Sequence, residues 1–494
     1  IVFGDWSSDV CSSDLMVAAL VLAGWVLMGF GPARVYYNEK YRPQFHFTPE
    51  RNYMGYPAGG VFLDGRYHLF YQCNPRGNEA GFHHWGHAVS RDLMTWEHRP
   101  LSVFPDNLSE DKEACTALPG SVVVDRENLL GYQKGDTPVL VAFYTSQGCG
   151  QRIAWSNDGG DTWQKYSGNP VLPYDETDQA RYPKVLFHQP TGQWVMILHR
   201  KPDQDDRKQG FSFYTSKNLR DWEFRSHLAG FTGRPDLVEL RLNNRPDDTR
   251  WIIIDGNGDY VVGSFDGSSF TAESIRMKCD YGRGFAGATT FSNLPAGEER
   301  TVQVALLNSE EWPGMPFHGQ LAIPAELTLR KAGTGIYLFR NPVSEIEQLQ
   351  GKSLSWKNEK LIPGIGQNLV KKAEGDCVRI RGRFDLKNCE SFGFMLRAGK
   401  KNEGTELVYN VKRGTLSLMG QTIPLEPVDH KITLDILIDR ASVEVFANNG
   451  KAALSSVWFT GENDRSYILY NTGGEIVVDE LEITPLRSVW ANGE

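Results

Sequence analysis

A short turn motif recurs four times in the first part of the chain, and it constrains the fold more than any other feature. The copies begin at Ser90, Ser156, Ser216 and Ser264, and each runs from serine through Asp or Asn to Trp or Phe. Each copy places turn-forming polar residues next to an aromatic side chain suited to packing between sheets. Copies at intervals of about 50 to 65 residues predict a β-propeller, with one copy in each four-stranded blade.

Between residues 41 and 349 the chain consists of short apolar runs broken by turns. Runs such as VLVAFYTS at 139–146 and WIIID at 251–255 are rich in β-branched and aromatic residues, and Gly, Asp, Asn and Pro interrupt them. The 50 glycines and 25 prolines fit a turn-rich protein, and no long amphipathic helical pattern occurs. We therefore predict an all-β protein whose first domain spans residues 41–349.

The pattern changes after residue 349. Residues 350–367 are polar, and we interpret them as a linker. From residue 368 to 487, short strands follow one another in tight alternation, as at 378–385 and 391–398. Alternating strands separated by turns favour a β-sandwich as the second domain.

The first 33 residues carry two features that we exclude from the fold. Residues 5–15, DWSSDVCSSDL, resemble a translated sequencing adapter, so 1–15 are treated as an artefact; a disordered native tail is the alternative. Residues 16–30 are apolar and uncharged, shorter than the ~20 residues of a bilayer span, and small residues follow them. We predict a signal peptide at 16–33, with an uncleaved anchor as the alternative. Either predicts a secreted, periplasmic or cell-surface protein.

The net charge and the spacing of the cysteines limit the classes of ligand and partner that we expect. The net charge is −9 and no basic patch occurs, so nucleic acid is not an expected partner. The cysteines after residue 15 fit no zinc motif, so neither a metal nor another cofactor is expected. Cys377 and Cys389 are close enough to pair across neighbouring strands, and a buried free thiol is an equal alternative for each cysteine.

Several segments resemble family 32 of the glycoside hydrolases, which contains invertases, levanases and inulinases. The resemblance is carried by YRPQFHF at 41–47, FYQCNP at 70–75, HWGHA at 84–88 and DRASVEVF at 439–446, and it extends over about residues 41–485. It implies a five-bladed β-propeller with a central funnel, followed by a C-terminal β-sandwich. It also implies descent from enzymes that cleave β-fructosides, and so a carbohydrate partner.

The three motifs that carry catalytic carboxylates in this family are altered. Trp-Met-Asn-Asp-Pro-Asn-Gly stands here as YMGYPAG at 53–59, Arg-Asp-Pro as RYP at 181–183, and Glu-Cys-Pro-Asp as GRPD at 233–236. The resemblance thus puts the nucleophile, the transition-state stabiliser and the general acid at Tyr56, Tyr182 and Gly233. Retaining glycosidases need two carboxyl groups ~5 Å apart. We predict that ordinary β-fructosides are not hydrolysed by the usual retaining mechanism.

The same resemblance predicts a sugar-binding set. The family equivalents of Gln72, Trp85 and Arg181 line or support the fructose subsite. Two tyrosines would add flat apolar faces with hydroxyl tips, suited to stacking on a sugar ring. The alternative is that they only fill the space of the lost site. The predicted substrate-binding residues are Tyr56, Gln72, Trp85, Arg181, Tyr182 and Trp312.

These observations favour a secreted carbohydrate-active protein that binds a glycan terminus in a remodelled pocket. The alternative is a glycosidase with altered catalytic groups, acting on a fructan or another glycoside. Asp236, Glu310 and Glu311 are candidates for a relocated carboxylate, and a tyrosine can be a glycosidase nucleophile beside such a base. A third hypothesis is an interaction platform without a sugar site.

Overall fold

Five blades of β-strands surround a central axis, and a two-sheet sandwich follows them in the chain. The computed structural model describes residues 37–107, 115–295, 300–363, 368–399, 401 and 403–490. Both domains belong to one compact unit, Lys40–Glu494; of the other unit, Ile1–Glu39, only residues 37–39 are described. The predicted artefact and the predicted signal peptide or anchor lie outside the described residues. No described helix is long and apolar enough to cross a membrane.

The first domain is built from five blades, each based on four antiparallel strands. Blade 1 contains β1 (Asn52–Leu63), β2 (Arg66–Asn74), β3 (His84–Ser90) and β4 (Trp96–Val103). Blade 2 contains β5 (Ala117–Asp125), β6 (Val139–Ser146), β7 (Gly150–Ser156) and β8 (Gln164–Lys165). Blade 3 contains β9 (Arg181–His188), β10 (Gln193–Arg200), β11 (Gly210–Ser216) and β12 (Glu223–Ala229).

Blade 4 contains β13 (Pro235–Arg241), β14 (Thr249–Asp255), β15 (Asp259–Phe265), β16 (Phe270–Ala272) and the short β17 (Met277–Lys278). Blade 5 contains β18 (Phe285–Ser292), β19 (Thr301–Leu307), β21 (Gln320–Leu321), β22 (Ala325–Ala332) and β23 (Gly335–Pro342). The short β20 (Phe317–His318) precedes β21 and pairs in parallel with β1 of blade 1. The four described 3-10 helices are Gln189–Thr191, Pro202–Gln204, Asp206–Lys208 and Ser344–Leu349.

The ring closes where the last blade meets the first. The innermost strands are β1, β5, β9, β13 and β18, and each contacts its neighbours around the axis. β1 pairs in parallel with β18, with Gly60 opposite Phe291, so blades 1 and 5 share one continuous sheet. Apolar side chains fill the space between successive blades, as with Val195 of blade 3 and Ile253 of blade 4. The predicted propeller is therefore confirmed, and it has five blades.

The recurring turn motif occupies the outer hairpin of blades 1 to 4. Asp92 Oδ1 accepts the backbone N–H groups of Met94 and Thr95, and Asn218 Oδ1 does the same in blade 3. The indole N–H of Trp96 donates to the carbonyl three residues earlier, as do those of Trp163 and Trp222. Each motif thus closes its own turn with local hydrogen bonds. Because these bonds need specific residues at fixed positions, the repeat can be recognised in the sequence.

The second domain packs a six-stranded sheet on a five-stranded sheet. Its strands are β24 (Leu354–Leu361), β25 (Val378–Asp385), β26 (Ser391–Ala398), β27 (Thr405–Asn410), β28 (Thr415–Leu418), β29 (Gln421–Pro424), β30 (Lys431–Asp439), β31 (Ser442–Ala447), β32 (Ala452–Val457), β33 (Ser466–Thr472) and β34 (Ile476–Pro485). The inner faces of both sheets form one apolar core. The predicted β-sandwich is confirmed.

The prediction of a linker at 350–367 is wrong for much of that segment. β24 pairs with β34 at the edge of the six-stranded sheet, and residues 364–367 lie outside the described residues. β24 reads LSWKNEKL and is mostly exposed. A polar edge strand has no apolar alternation, so composition alone does not separate it from a linker.

Of the two alternatives for Cys377 and Cys389, the structure has the buried free thiols, and a disulfide forms elsewhere. Cys115 and Cys149 form a disulfide, which ties the start of blade 2 to the hairpin between β6 and β7. Cys377 and Cys389 are both free and buried, and Cys377 lies against Asp439. Spacing in the sequence did not indicate the Cys115–Cys149 pair, because only the propeller topology brings these two residues together.

A buried charge network joins the two domains. His46 precedes β1, and its two ring nitrogens lie 2.8 Å from carboxylate oxygens of Asp439 and Glu444 in the sandwich. Arg340 of blade 5 lies 3.7 Å from Glu444 and 3.1 Å from Asp280. All of these side chains are fully buried. Glu444 is therefore a domain-interface residue, and these contacts fix the sandwich against the propeller.

Candidate functional site

Backbone bulges re-aim side chains at one end of the inner strands. The pairing of β1 with β2 shifts between Met54 and Pro57, so Tyr56 falls within the bulge. β5, β9 and β18 carry comparable shifts near Pro119, Tyr182 and Gly287. Bulges of this kind turn a side chain out of its regular alternation. Four of the five inner strands are therefore irregular at the end where the altered sequence motifs lie.

Three tyrosines converge at this end. Tyr53 and Tyr56 lie on β1 and Tyr182 on β9, and all three are partly buried. Burial raises the pKa of the Tyr53 phenol, and the nearby phenols of Tyr56 and Tyr182 raise it further. Burial and Tyr182 likewise raise the pKa of Tyr56, while Arg234 and Arg181 oppose the rise. The mutual influence places the tyrosines and both arginines in one region.

The Tyr56 ring packs against the backbone of blade 5. A Cβ atom on Gly287 would lie 2.3 Å from Tyr56 Cδ1, so only glycine leaves room for the ring. Gly287 also has a φ of 63°, in the left-handed region that suits glycine. The ring therefore reaches across from β1 to β18 and is held at the junction of two inner strands.

Tyr182 adopts a backbone conformation that tyrosine rarely uses. Its φ is 63°, and its N–H donates a 2.9 Å hydrogen bond to Thr145 Oγ1 on β6. The Arg181 guanidinium lies over its ring, 5.3 Å from the centroid. A non-glycine residue held in this region costs on the order of 1 kcal/mol, and such residues cluster at binding and catalytic sites.

Two arginines supply positive charge without a paired carboxylate. Arg234 is fully buried and donates to the backbone carbonyls of Pro57, Gly120 and Gly287, so it joins three inner strands. Burial lowers the pKa of Arg234 to about 10. Arg181 is partly exposed, and its guanidinium makes no hydrogen bond or ion pair with any described residue. The tyrosines therefore adjoin a positively charged region.

Asp255 fills the space beside Gly233. A Cβ atom at position 233 would lie 2.1 Å from Asp255 Oδ1. Asp255 is buried and accepts the backbone N–H groups of Thr232, Gly233 and Asn257 at 2.8 to 3.1 Å. These three hydrogen bonds hold the carboxylate in one position. Asp255 therefore anchors the turn next to Gly233.

The other predicted binding residues lie behind the tyrosines. Gln72 is buried, and its Oε1 atom lies 2.5 Å from where a Cβ on Gly55 would be, so it supports the β1 bulge. Trp85 is fully buried between blades 1 and 2, and its indole donates to the Leu118 carbonyl at 3.2 Å. It has no exposed face, so its predicted role is limited to supporting the floor.

Trp312 also packs as a core residue. It is 7% exposed and lies in an apolar cluster with Phe317 and with Ala441 of the sandwich. Its ring is 6.4 Å from His318, which in turn lies 5.2 Å from the Tyr53 ring. Trp312 therefore reaches the tyrosines only through His318.

None of the three candidate replacement carboxylates makes a hydrogen bond to Tyr53, Tyr56 or Tyr182. Asp236 is fully buried, forms a 2.8 Å ion pair with Lys184, and accepts the Thr290 N–H. Glu310 and Glu311 are exposed between β19 and β20, and neither carboxylate makes a hydrogen bond or ion pair within the described ranges. Asp236 is therefore closed to a ligand, and the two glutamates face solvent.

Sequence reasoning missed three residues of this site. Tyr53 lies in the same quoted motif as Tyr56, and Arg234 lies in the motif beside Gly233, so both had a usable signal. Asp255 had none, because its contact with Gly233 depends on strand pairing that sets Pro235 opposite Asp255.

Comparison with known proteins agrees with this architecture. The family model described as "Glycosyl hydrolases family 32 N-terminal domain" matches residues 46–342, and the "Glycosyl hydrolases family 32 C terminal" model matches residues 345–485. A levanase of Bacillus subtilis (strain 168) is 37% identical over 500 residues, covering 92% of this chain and 72% of the levanase. An extracellular exo-inulinase of Aspergillus awamori is 28% identical, covering 95% of this chain and 98% of that enzyme.

A solved structure adds the same result in three dimensions. The crystal structure of exo-inulinase from Aspergillus awamori superposes with a TM-score of 0.82 at 27% identity, covering 92% of this chain and all of that chain. Both domain models, the levanase and the fold agree over nearly the whole described chain. The chain therefore belongs to glycosyl hydrolase family 32.

Proposed function

We propose that this protein is a secreted carbohydrate-binding member of the β-fructosidase lineage, which recognises a glycan terminus and does not hydrolyse ordinary β-fructosides. One observation carries the proposal. Tyr56, Tyr182 and Gly233 occupy the positions that the family resemblance assigns to the catalytic carboxylates. The two tyrosines adjoin one another and Arg181 at the end of the inner strands.

The chemistry of glycoside cleavage argues against the usual activity. The leaving oxygen needs a proton donor, and the anomeric carbon needs a carboxylate on its opposite face. Gly233 has no side chain, and Asp255 beside it is bound by three backbone N–H groups. The Tyr56 hydroxyl has a raised pKa and makes no hydrogen bond to a described carboxylate, so it is neutral and unactivated at pH 7.

The same residues suit binding. A sugar ring presents an apolar face of C–H groups and an edge of hydroxyls, and a partly exposed tyrosine can meet both. Arg181 adds N–H donors on the same side. The left-handed backbone of Tyr182 supports this reading, because a residue that only filled space would gain nothing from a strained conformation.

A glycosidase with altered catalytic groups is the second candidate. It is favoured by the two arginines, whose positive charge lowers the pKa of Tyr56 against the effect of burial. This mechanism requires Glu310 or Glu311 to act as a base. Neither carboxylate makes a hydrogen bond or an ion pair with a described residue, the tyrosines included.

Export from the cell is part of the proposal. Relatives from Aspergillus awamori and Aspergillus niger are named extracellular exo-inulinases. The Cys115–Cys149 disulfide also suits an oxidising compartment. Fractionation of the source cells, with an antibody to the protein, tests this: recovery in the reducing cytoplasm would contradict it.

Activity and binding are tested together. We expect purified protein to release no fructose from sucrose, levan or inulin above the rate of a buffer blank, and to bind at least one glycan on an array. The Tyr56→Ala/Tyr182→Ala double variant should bind that glycan at least tenfold more weakly, while Phe224→Ala, an exposed aromatic on the outer strand of blade 3, should bind normally. Efficient fructose release that is lost in the Tyr56→Ala variant would overturn the proposal.

A further inference from the structure

The charges around the tyrosines do not balance. Arg181 and Arg234 form no ion pair with any described carboxylate. The two acidic groups on the neighbouring strands are already satisfied. Asp236 is neutralised by Lys184, and Asp255, which is held by backbone N–H donors, is the one remaining carboxylate of these strands set against the two arginines. A net positive charge therefore remains at the end of the inner strands.

Of the two arginines, Arg181 has N–H donors that make no hydrogen bond to a described residue and can reach a ligand. Arg234 is fully buried, and its two terminal nitrogens donate to three backbone carbonyls, whereas Arg181 is partly exposed and, among the described residues, lies over the ring of Tyr182. Its Nε atom is buried and makes no hydrogen bond. A guanidinium has five N–H donors in a planar fork that matches a carboxylate, so the partly exposed Arg181 is suited to bind an anion.

The altered positions lead to the same ligand. The family pattern would place carboxyl groups at 56, 182 and 233, and the ionised nucleophile and stabiliser at 56 and 182 would repel an anionic sugar. Here the corresponding residues are two tyrosines and a glycine. The replacement removes the repulsion on the side of the anomeric carbon, while Arg181 remains.

Resting on the proposed function, we propose that the pocket binds a glycan terminus that carries a carboxylate on its anomeric carbon, a 2-ulosonic acid. Such a sugar and fructose are both 2-ketoses, and they differ at C1, where a carboxylate replaces a hydroxymethyl group. The carboxylate pairs with Arg181, and the ring stacks on Tyr56 and Tyr182. A carboxylate elsewhere on the ring, as in a hexuronic acid, is the competing placement.

Calorimetric titration with four methyl glycosides separates these ligands. The probes are the methyl glycosides of N-acetylneuraminic acid (a 2-ulosonic acid), galacturonic acid, fructose and galactose. We expect the 2-ulosonide to bind at least tenfold more tightly than the fructoside. Its affinity should fall as NaCl rises from about 0.05 to 0.5 M, while binding of neutral sugars stays constant, because salt screens only the charged contact.

Two variants locate the contact. Arg181→Gln should weaken 2-ulosonide binding at least tenfold and change fructoside binding less than twofold. Tyr182→Asp should have a comparable effect, because it places a carboxylate beside Arg181. Arg91→Gln, at an exposed arginine in the blade 1 turn, controls for the loss of one positive charge. Circular dichroism melting of every variant establishes that each is folded.

Each outcome decides between the two proposals. Binding of the neutral fructoside without preference for the acid overturns this inference and leaves the proposed function standing. Tighter binding of the galacturonide overturns the placement at the anomeric carbon. If none of the four probes, and no glycan on the array, binds the folded protein, both proposals fail.

Discussion

His46 is fully buried, yet both of its ring nitrogens face carboxylates. Burial alone would lower its pKa, but the hydrogen bonds and charges of Asp439 and Glu444 outweigh burial and raise the pKa to about 9. The imidazole is therefore a cation at neutral pH, and both nitrogens donate. For the carboxyl groups of Asp439 and Glu444, burial acts in the opposite direction and raises the pKa. The hydrogen bonds and charge of His46 outweigh burial, so the pKa of each carboxyl lies below its usual range.

This arrangement predicts a window of pH stability. A histidine whose pKa is about 6.5 unfolded and about 9 folded contributes up to about 3 kcal/mol below pH 6.5, and this is lost as pH rises through 9. The carboxylates contribute above their unfolded pKa values and lose that contribution as pH falls through the lower folded ones. Urea unfolding from pH 3 to 10 should therefore show a maximum near pH 5–6. His46→Gln should flatten the decline between pH 7 and 9; an unchanged decline in that variant would contradict the assignment.

Gly233 offers a second test at the scale of one residue. Its Cβ would meet Asp255 Oδ1 at 2.1 Å, and Asp255 is fixed by three N–H donors. We expect Gly233→Ala to lower the free energy of unfolding by about 1–3 kcal/mol. Gly77→Ala is the matched control, because nothing lies within 4 Å of the added atom. Equal urea midpoints for the two variants would show that Asp255 moves aside freely.

Among the strands and turns, those held by hydrogen bonds between residues close in sequence could be predicted, and those that depend on pairing with other strands could not. The turn motifs were predictable because Asp92, Asp158, Asn218 and Asp266 bond backbone groups within a few residues. The bulges at Tyr56 and Tyr182 were not, because they depend on register with β2 and β10. The strand β24 was missed because it is a polar edge strand.

The Cys115–Cys149 disulfide links two parts of blade 2, and its removal should lower the free energy of unfolding. Cys115 and Cys149 are 34 residues apart in sequence. In the chain-entropy model a loop of this size stabilises by about 3–4 kcal/mol. We expect Cys115→Ser/Cys149→Ser to lower the free energy of unfolding by up to that amount, measured by urea denaturation. Alkylation of the unreduced, unfolded wild type should leave residues 115 and 149 unmodified; labelling of either would refute the pairing.

The propeller and the sandwich are joined by one continuous cluster of buried apolar side chains. The cluster around Phe45, Phe47 and Met54 continues into the sandwich through Leu437 and Phe446. The charge network around Glu444 crosses the same boundary. The sequence predicted both domains separately, since each has its own strand pattern. It did not predict this interface, because the groups that meet there are nearly 400 residues apart.

The shared interior predicts that the propeller and the sandwich unfold together. Removing the Glu444 carboxylate leaves the His46 cation and Arg340 with less compensation in a fully buried site. Breaking one partner of a buried ion pair typically costs about 3–5 kcal/mol, whereas an exposed carboxylate contributes about 0–1 kcal/mol. Glu444→Ala should therefore lower the midpoint of unfolding far more than Glu480→Ala, an exposed residue of the same sheet. Scanning calorimetry should show one transition for the wild type and for Glu480→Ala. If Glu444→Ala shifts only one of two resolved transitions, the domains are independent, and the network stabilises the sandwich alone.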